Sequence, residues 1–166
     1  MTSYTTVQSP LGALLLVGED RDGGAGLRSV SFADTASGVV QPDWRPDDAA
    51  FADAVRQLDE YFAGERTEFA LDRAPSGTPF QRRVWAAVDA LPYGTTVSYG
   101  EIARRVSAPP DRIRAVGAAI GANPLLIVRP CHRVVGANGA LTGYAGGVPR
   151  KRDLLTLEGA LQPTLV

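Results

Sequence analysis

The spacing of apolar residues gives the two halves of the chain different textures. Short runs dominate the first. Tyr4–Gln8 reads as a strand, Ser9-Pro10-Leu11-Gly12 as a turn, and Ala13–Gly18, apolar at Leu14, Leu15, Leu16 and Val17, as a second strand. Asp20–Gly24 is a charged, glycine-rich loop, and Leu27–Phe32 alternates as a third strand. Residues 33–48 are rich in Asp, Gly and Pro and read as loop. From Ala50 to Ala63 the period lengthens: Phe51, Val55, Leu58 and Phe62 recur at three- and four-residue intervals. That predicts a helix burying those four residues and ended by Gly64. Thr67–Leu71 reads as a short strand and Arg73–Gly77 as a linker.

Helical spacing dominates the second half. Thr78-Pro79 supplies an N-cap and a proline at the first helical position, and Phe80, Val84, Ala87, Val88 and Leu91 fall on one face. Pro92-Tyr93-Gly94 stops that helix, and Thr95–Val97 is extended. Ser98-Tyr99-Gly100-Glu101 has capping-box spacing and opens a helix through Val106. After Ala108-Pro109-Pro110, Asp111 is placed to cap a third helix from Arg112 to about Ala122. Two short helices joined by a proline-rich turn suggest a helix-turn-helix. The second carries Arg112 and Arg114 in its first turn, then Ala115, Gly117, Ala118, Ala119 and Gly121. Small residues of this kind serve close approach to a ligand or tight packing on a neighbouring helix. Leu125–Val128 reads as a buried strand, Asn138-Gly139 as a hairpin turn between Val134-Val135 and Ala140-Leu141, and Val148–Glu158 as a last helix. The fold class is α/β (α+β), with a boundary near residue 75: residues 1–75 form a sheet-plus-helix domain and residues 76–166 a mostly helical one.

Charge sharpens this division. Residues 1–75 carry 6 Arg against 13 Asp and Glu, while residues 76–166 carry 11 Arg and Lys against 5 Asp and Glu. Solvated surface charge is the ordinary fate of such residues, but a basic second half also suits a polyanion such as a nucleic-acid backbone. The 45% apolar content is that of a globular protein. No apolar run is long enough to span a membrane, and Met1-Thr2-Ser3-Tyr4 opens no signal peptide. The single cysteine rules out an internal disulfide and a cysteine-rich zinc site, and suits a reducing cytoplasm. A cytoplasmic protein without metal or cofactor is expected.

That cysteine stands beside the single histidine, in Pro130-Cys131-His132-Arg133-Val134. A cysteine attacks as thiolate, and an adjacent base promotes ionisation. Neighbours on a regular strand point to opposite faces, so a Cys131–His132 partnership needs a turn or a bridging water. A carboxylate should orient the imidazole. The basic half offers Asp89, Glu101, Asp111, Asp153 and Glu158, and Glu158, at a helix end before Gly159, can face inward. A buried inert cysteine beside a core histidine is the bland alternative.

Pro130-Cys131-His132-Arg133-Val134 resembles the active-site signature of the methylated-DNA–protein-cysteine methyltransferases, the O6-alkylguanine-DNA alkyltransferases. The resemblance extends through Ser98-Tyr99, Arg114-Ala115-Val116-Gly117, Asn123-Pro124, Tyr144 with Gly146-Gly147, Lys151 to Leu154-Leu155, and Glu158-Gly159. It covers residues 78–159 and, in outline, likens residues 1–75 to the family's ribonuclease-H-like domain.

It implies irreversible transfer of the alkyl group from O6-alkylguanine, and O4-alkylthymine, in double-stranded DNA to Cys131, one lesion per molecule. His132 would deprotonate Cys131 through a water, Glu158 would orient His132, and Asn123 would brace the turn before the active-site segment. Tyr99 would donate a proton to the guanine and crowd the target phosphate. Arg114 would fill the gap left by the flipped nucleotide, with Ala115 and Gly117 bringing the recognition helix close to the minor groove. Pro130, Val134, Tyr144, Ala145 and Lys151 would frame the substrate pocket, with backbone carbonyls of Cys131 and Val134 reading the guanine amine. A monomer is expected, and the sequence leaves open whether it binds DNA cooperatively.

The chain departs from the pattern at Ala145, where many relatives have serine, and in an extra residue near Pro109-Pro110. It also lacks the N-terminal Cys and His residues that hold zinc in some members. The competing reading is an alkyltransferase-like protein that binds lesions without transfer; such proteins lack the acceptor cysteine, and Cys131 argues against it. A cysteine hydrolase fits neither the adjacent Cys-His order nor the helix-turn-helix.

Overall fold

The structure is a computed structural model that describes residues 1–22 and 24–162. Its chain separates into two compact units, Met1–Ser76 and Gly77–Val166.

The first unit is built on a four-stranded sheet ordered β3-β2-β1-β4, from β1 (Thr2–Val7), β2 (Leu14–Arg21), β3 (Gly24–Phe32) and the two-residue β4 (Arg45–Pro46). The first three form an antiparallel meander, with Val7 opposite Leu14 and Leu14 opposite Phe32. A bulge lies between Val17 and Gly18. The unbroken apolar run of β2 is explained by burial on both faces, since Leu14, Leu15, Leu16 and Val17 are all inaccessible. The stretch read as loop also contains β4, which pairs parallel with β1 at Ser3 and Tyr4.

Helix α1 (Ala52–Phe62) follows a 3-10 turn at Asp48–Phe51. Its buried face is rotated from the expected one. Phe51 and Leu58 are buried, but so are Ala54, Gln57 and Tyr61, while Val55 and Phe62 are half-exposed. Two contacts set this rotation. The Tyr61 ring packs 5.4 Å from that of Phe69. The Gln57 amide donates to Ala70 O at 3.0 Å and accepts from Ala70 N at 2.8 Å. The same amide occupies the backbone of the segment read as a strand over Thr67–Leu71, which makes no ladder. Only the neighbouring Arg73 bridges Leu27.

The second unit starts at Gly77, whose φ of +85° and close approach to Trp85 leave no room for a side chain: a Cβ would lie 2.5 Å from that ring. Helix α2 (Pro79–Asp89) is opened by a full capping box, with Gln81 N donating to Thr78 Oγ1 at 3.1 Å and Thr78 N to Gln81 Oε1 at 2.9 Å. It buries Val84, Trp85 and Val88. Helix α3 (Tyr99–Arg105) is capped by Ser98, and α4 (Ile113–Gly121) follows a 3-10 turn at Pro110–Arg112. Asp111 does not cap α4: it lies within that turn, exposed, and the N-cap is Arg112 without a side-chain bond. The α3 and α4 pair is the helix-turn-helix. Trp85 Nε1 donates to Ala119 O at 2.7 Å and fastens α4 to α2.

Beyond α4 the chain departs from expectation again. Leu125–Val128 is buried but forms a tight turn, with Ile127 at φ +71°, unusual for a β-branched residue. Arg129 N closes it onto Leu125 O at 2.8 Å. A 3-10 turn at Cys131–Arg133 runs into β6 (Val134–Val135), which pairs parallel with β5 (Val97–Ser98). Asn138-Gly139 does make a tight turn, closed by Gly136 N to Ala140 O at 2.8 Å, but Ala140-Leu141 is not a strand. Helix α5 (Val148–Leu157) ends with Glu158 as its C-cap. No helix among the described residues is long and apolar enough to cross a membrane.

Candidate active site

The 3-10 turn answers how neighbouring cysteine and histidine can serve one site: it is not a strand, so the two side chains need not oppose each other. Cys131 is 6% exposed and His132 is fully buried. Asn123 fixes the approach to the turn. Its Nδ2 donates to Arg129 O at 3.0 Å and its Oδ1 accepts from Leu125 N at 2.9 Å. His132 Nε2 lies 2.7 Å from Glu158 Oε2, brought there by the end of α5.

Glu158 has a second partner that the sequence reading did not assign. Arg133 Nε donates to Oε1 at 2.7 Å and Nη2 to Oε2 at 3.0 Å, while Nη1 donates to Leu91 O at 2.7 Å. The guanidinium also lies 5.6 Å from the Tyr93 ring centroid. Arg133 is buried, and a buried arginine requires a carboxylate; nothing in the sequence signalled that burial.

Burial pushes the Cys131 thiol above its ordinary value, and a hydrogen bond from Asn123 and the charge of Lys151 pull the other way. Burial also pushes His132 below its ordinary value, against the pull of Glu158, with Arg133 and Lys151 adding to the fall. The resting site therefore holds a neutral thiol beside a neutral imidazole. Lys151, itself fully buried, donates to Thr142 O at 2.9 Å and Gly143 O at 3.4 Å, and its Nζ sits 5.8 Å from the Tyr99 ring centroid.

Cys131 opens into a cavity of about 190 Å³. Tyr99 of α3, Gly117 of α4, and Tyr144 and Ala145 line it. Gly121, one of the small residues noted on this helix, also lines it, as do Ile120, Leu126 and Gly143, which the sequence did not point to as site residues. The small residues of α4 are what lets that helix form a wall. Arg114 is exposed on the first turn of α4 and Ala115 is half-buried; neither borders the cavity. Pro130 and Val134 are buried on either side of the 3-10 turn and do not line the cavity either. Among the described residues no group of His, Cys, Asp and Glu is arranged to hold a metal ion.

Residues 79–160 match the family model described as the DNA binding domain of 6-O-methylguanine DNA methyltransferase, and residues 2–73 match its ribonuclease-like domain. The chain belongs to the methylated-DNA–protein-cysteine methyltransferase family. It is 48% identical over 163 residues to the Mycobacterium tuberculosis (strain H37Rv) protein of that name, covering 98% of this chain and 96% of the relative. The methyltransferase of that name from Methanosarcina acetivorans is 46% identical over 158 residues, covering 95% of this chain and 98% of the relative. A crystal structure of the Mycobacterium tuberculosis methyltransferase OGT in complex with DNA superposes with a TM-score of 0.86 at 49% identity, covering 95% of this chain and 93% of that one. The family's two-part architecture, a sheet-bearing ribonuclease-like part and a helical DNA-binding part, is the fold seen here.

Proposed function

We propose that this methyltransferase repairs DNA by moving the alkyl group of O6-alkylguanine, and of O4-alkylthymine, onto Cys131 and keeping it there. The observation that carries the reading is a lone buried thiol, next to a His132–Glu158 pair at 2.7 Å, opening into a cavity walled by α4. A base inside a duplex cannot reach such a thiol, so the nucleotide must leave the stack. Arg114, exposed at the start of α4, fills the gap, and Ala115 and Gly117 let the helix approach the groove. The basic charge of residues 76–166 holds the backbone. Residues 76–166 thus bind and react, and residues 1–75 form the separate ribonuclease-like domain.

In the pocket the thiol proton passes through a water to Nδ1 of His132, whose Nε2–H stays on Glu158. The thiolate attacks the alkyl carbon, the bond from that carbon to O6 breaks, and its electron pair goes to the guanine. Tyr99 supplies a proton to the leaving base, and the net result moves the thiol proton to guanine. Asn123 and Lys151 hold the chain on either side of the cavity. Tyr144 and Ala145 frame the base, with an Ala145 N–H available to the substrate oxygen where a hydroxyl is not, while Pro130 and Val134 hold the reactive turn on either side.

A thioether is a poor leaving group and the chain has no second cysteine, so each molecule acts once. A lesion-binding protein without transfer would have no use for this thiol, and that reading is not retained. The cytoplasm, which keeps a free thiol reduced, is the proposed location. The test is the burst of repair on duplex DNA holding one O6-methylguanine. One alkyl group removed per active molecule supports the reading; continued turnover, or no removal, defeats it.

A further inference from the structure

Two buried polar atoms near Cys131 have no hydrogen-bond partner among the described residues: Nδ1 of His132 and the hydroxyl of Tyr144. Buried polar groups in native proteins are nearly always paired, so each calls for an account. The two are chemically complementary. A carboxylate only accepts, so the proton of the neutral imidazole sits on Nε2, facing Glu158, and Nδ1 is a bare lone pair. Burial pushes the Tyr144 phenol well above its ordinary value, and the charges of Cys131 and Glu158 act in the same direction. The hydroxyl therefore keeps its proton and is available as a donor. Tyr144 and Cys131 line one cavity, and the Tyr144 ring stands edge-on to the imidazole, with centroids 6.5 Å apart at 83°. A bare acceptor on the residue next to Cys131 and a protonated donor on a residue lining the same cavity thus stand unpaired around a thiol that must first lose a proton and then carry a charge.

An Asn123 hydrogen bond and the charges of Lys151 and Arg129 favour that charge, but burial outweighs them. Burial raises the thiol and lowers the imidazole, so the proton transfer runs uphill at both ends. The charged and titratable groups around the sulfur are His132, with Glu158 and Arg133 behind it, Arg129 on its own segment, Lys151 from α5, Tyr99 from α3 and Tyr144. Lys151 already donates to the carbonyls of Thr142 and Gly143. The buried donor with no partner is Tyr144.

We propose that the Tyr144 hydroxyl donates a hydrogen bond to the Cys131 sulfur as it becomes a thiolate, which makes Tyr144 a catalytic residue and not only a wall of the alkyl pocket. The proposal rests on the reading of Cys131 as the alkyl acceptor. Tyr144 gives up no proton. The thiol proton still goes to His132 and finally to guanine, and the new S–C bond still forms as the O6–C bond breaks. The hydroxyl lowers the energy of the charged stage between. A thioether is a weaker acceptor than a thiolate, so the bond weakens once transfer is complete.

The experiment compares wild type with Tyr144→Phe in three measurements: transfer from an O6-methylguanine duplex across pH, alkylation of Cys131 by iodoacetamide across pH, and thermal melting. A hydrogen bond to a charged acceptor is worth about a factor of ten or more. The variant should therefore react about tenfold or more slowly near neutral pH, with the midpoint of both pH profiles raised by about one unit. Because the hydroxyl has no partner to lose in the resting fold, the variant should melt no lower than wild type. Iodoacetamide matters because it reads thiolate without needing the shape of the guanine pocket. Unchanged midpoints, whatever the rate on DNA, would reduce Tyr144 to a wall and overturn the proposal. A marked drop in melting temperature would overturn it too, by giving the hydroxyl a structural partner. Wild-type protein that fails to alkylate Cys131 from DNA would instead remove the functional reading beneath it.

Discussion

Glu158→Gln tests the ion pair that joins the helix end to the reactive turn. The Glu158 carboxylate has no exposed surface, and its contacts include one with His132 Nε2 and two with Arg133. A glutamine amide has one acceptor oxygen and one donor nitrogen, so whichever way it turns, an N–H faces either His132 or the guanidinium. Arg133 keeps its charge but loses its counter-ion. Breaking a buried pair from one side costs about 3–5 kcal/mol, because an uncompensated charge stays inside. At about 2–4 °C per kcal/mol for a chain of 166 residues, melting should fall by about 6–20 °C.

The rate should fall as well, since the imidazolium formed during transfer loses its carboxylate and the pH midpoint of the reaction rises. Adding Arg133→Met separates the two effects. It removes the unpaired charge, so the double variant should regain part of the lost melting temperature but none of the lost rate. The measurements are calorimetric melts of all four proteins and single-turnover transfer at a temperature where each is folded. A Glu158→Gln variant that melts within about 2 °C of wild type would refute the estimate. So would a double variant that recovers rate along with stability, since Glu158 would then serve the fold alone.

Cys131→Ser should abolish transfer while leaving duplex affinity close to wild type, checked by gel shift; lost affinity in a folded variant would tie binding to the thiol. Arg114→Ala should slow repair in duplex by about tenfold or more, because extruding a base costs a few kcal/mol, yet leave reaction with free O6-methylguanine unchanged. Equal losses on both substrates would assign Arg114 to the fold. His132 is held below the ordinary histidine value by burial, so the unfolded chain binds its proton first as pH falls. Stability from this residue is complete above about pH 6.5 and declines as pH falls from there toward the folded value. Urea midpoints measured on both sides of that pH in wild type and His132→Gln should show a slope present only in wild type.

Local rules made some of this molecule readable in advance. Thr78, Pro79 and Gln81 carry a complete start signal for α2, and Ser98 carries one for α3, because capping depends only on neighbours in the chain. The active-site turn was less readable. Leu125–Val128 is four apolar residues in a row, which fits a buried strand and a buried turn equally well. What decides between them is a set of hydrogen bonds from Asn123, which periodicity does not carry. The rotation of α1 was lost for a similar reason: Gln57 reads as surface until its amide is seen bound to Ala70. Cys131 and His132 stood out as the single residues of their kinds, and Glu158 as a carboxylate at a helix end. Arg133 gave no such sign, because in a basic half one more arginine reads as solvated charge. Its role is fixed by burial beside Glu158.

The central claim is that the alkyl group ends on Cys131 and stays there. Intact-mass analysis and peptide mapping, after mixing the protein with duplex DNA holding one O6-methylguanine, test it most directly, with unmodified DNA as control. The account predicts a protein heavier by one methylene, with the added mass on the peptide containing Cys131 and the DNA restored to guanine. An unmodified protein beside repaired DNA, or a methyl group on any other residue, would contradict it.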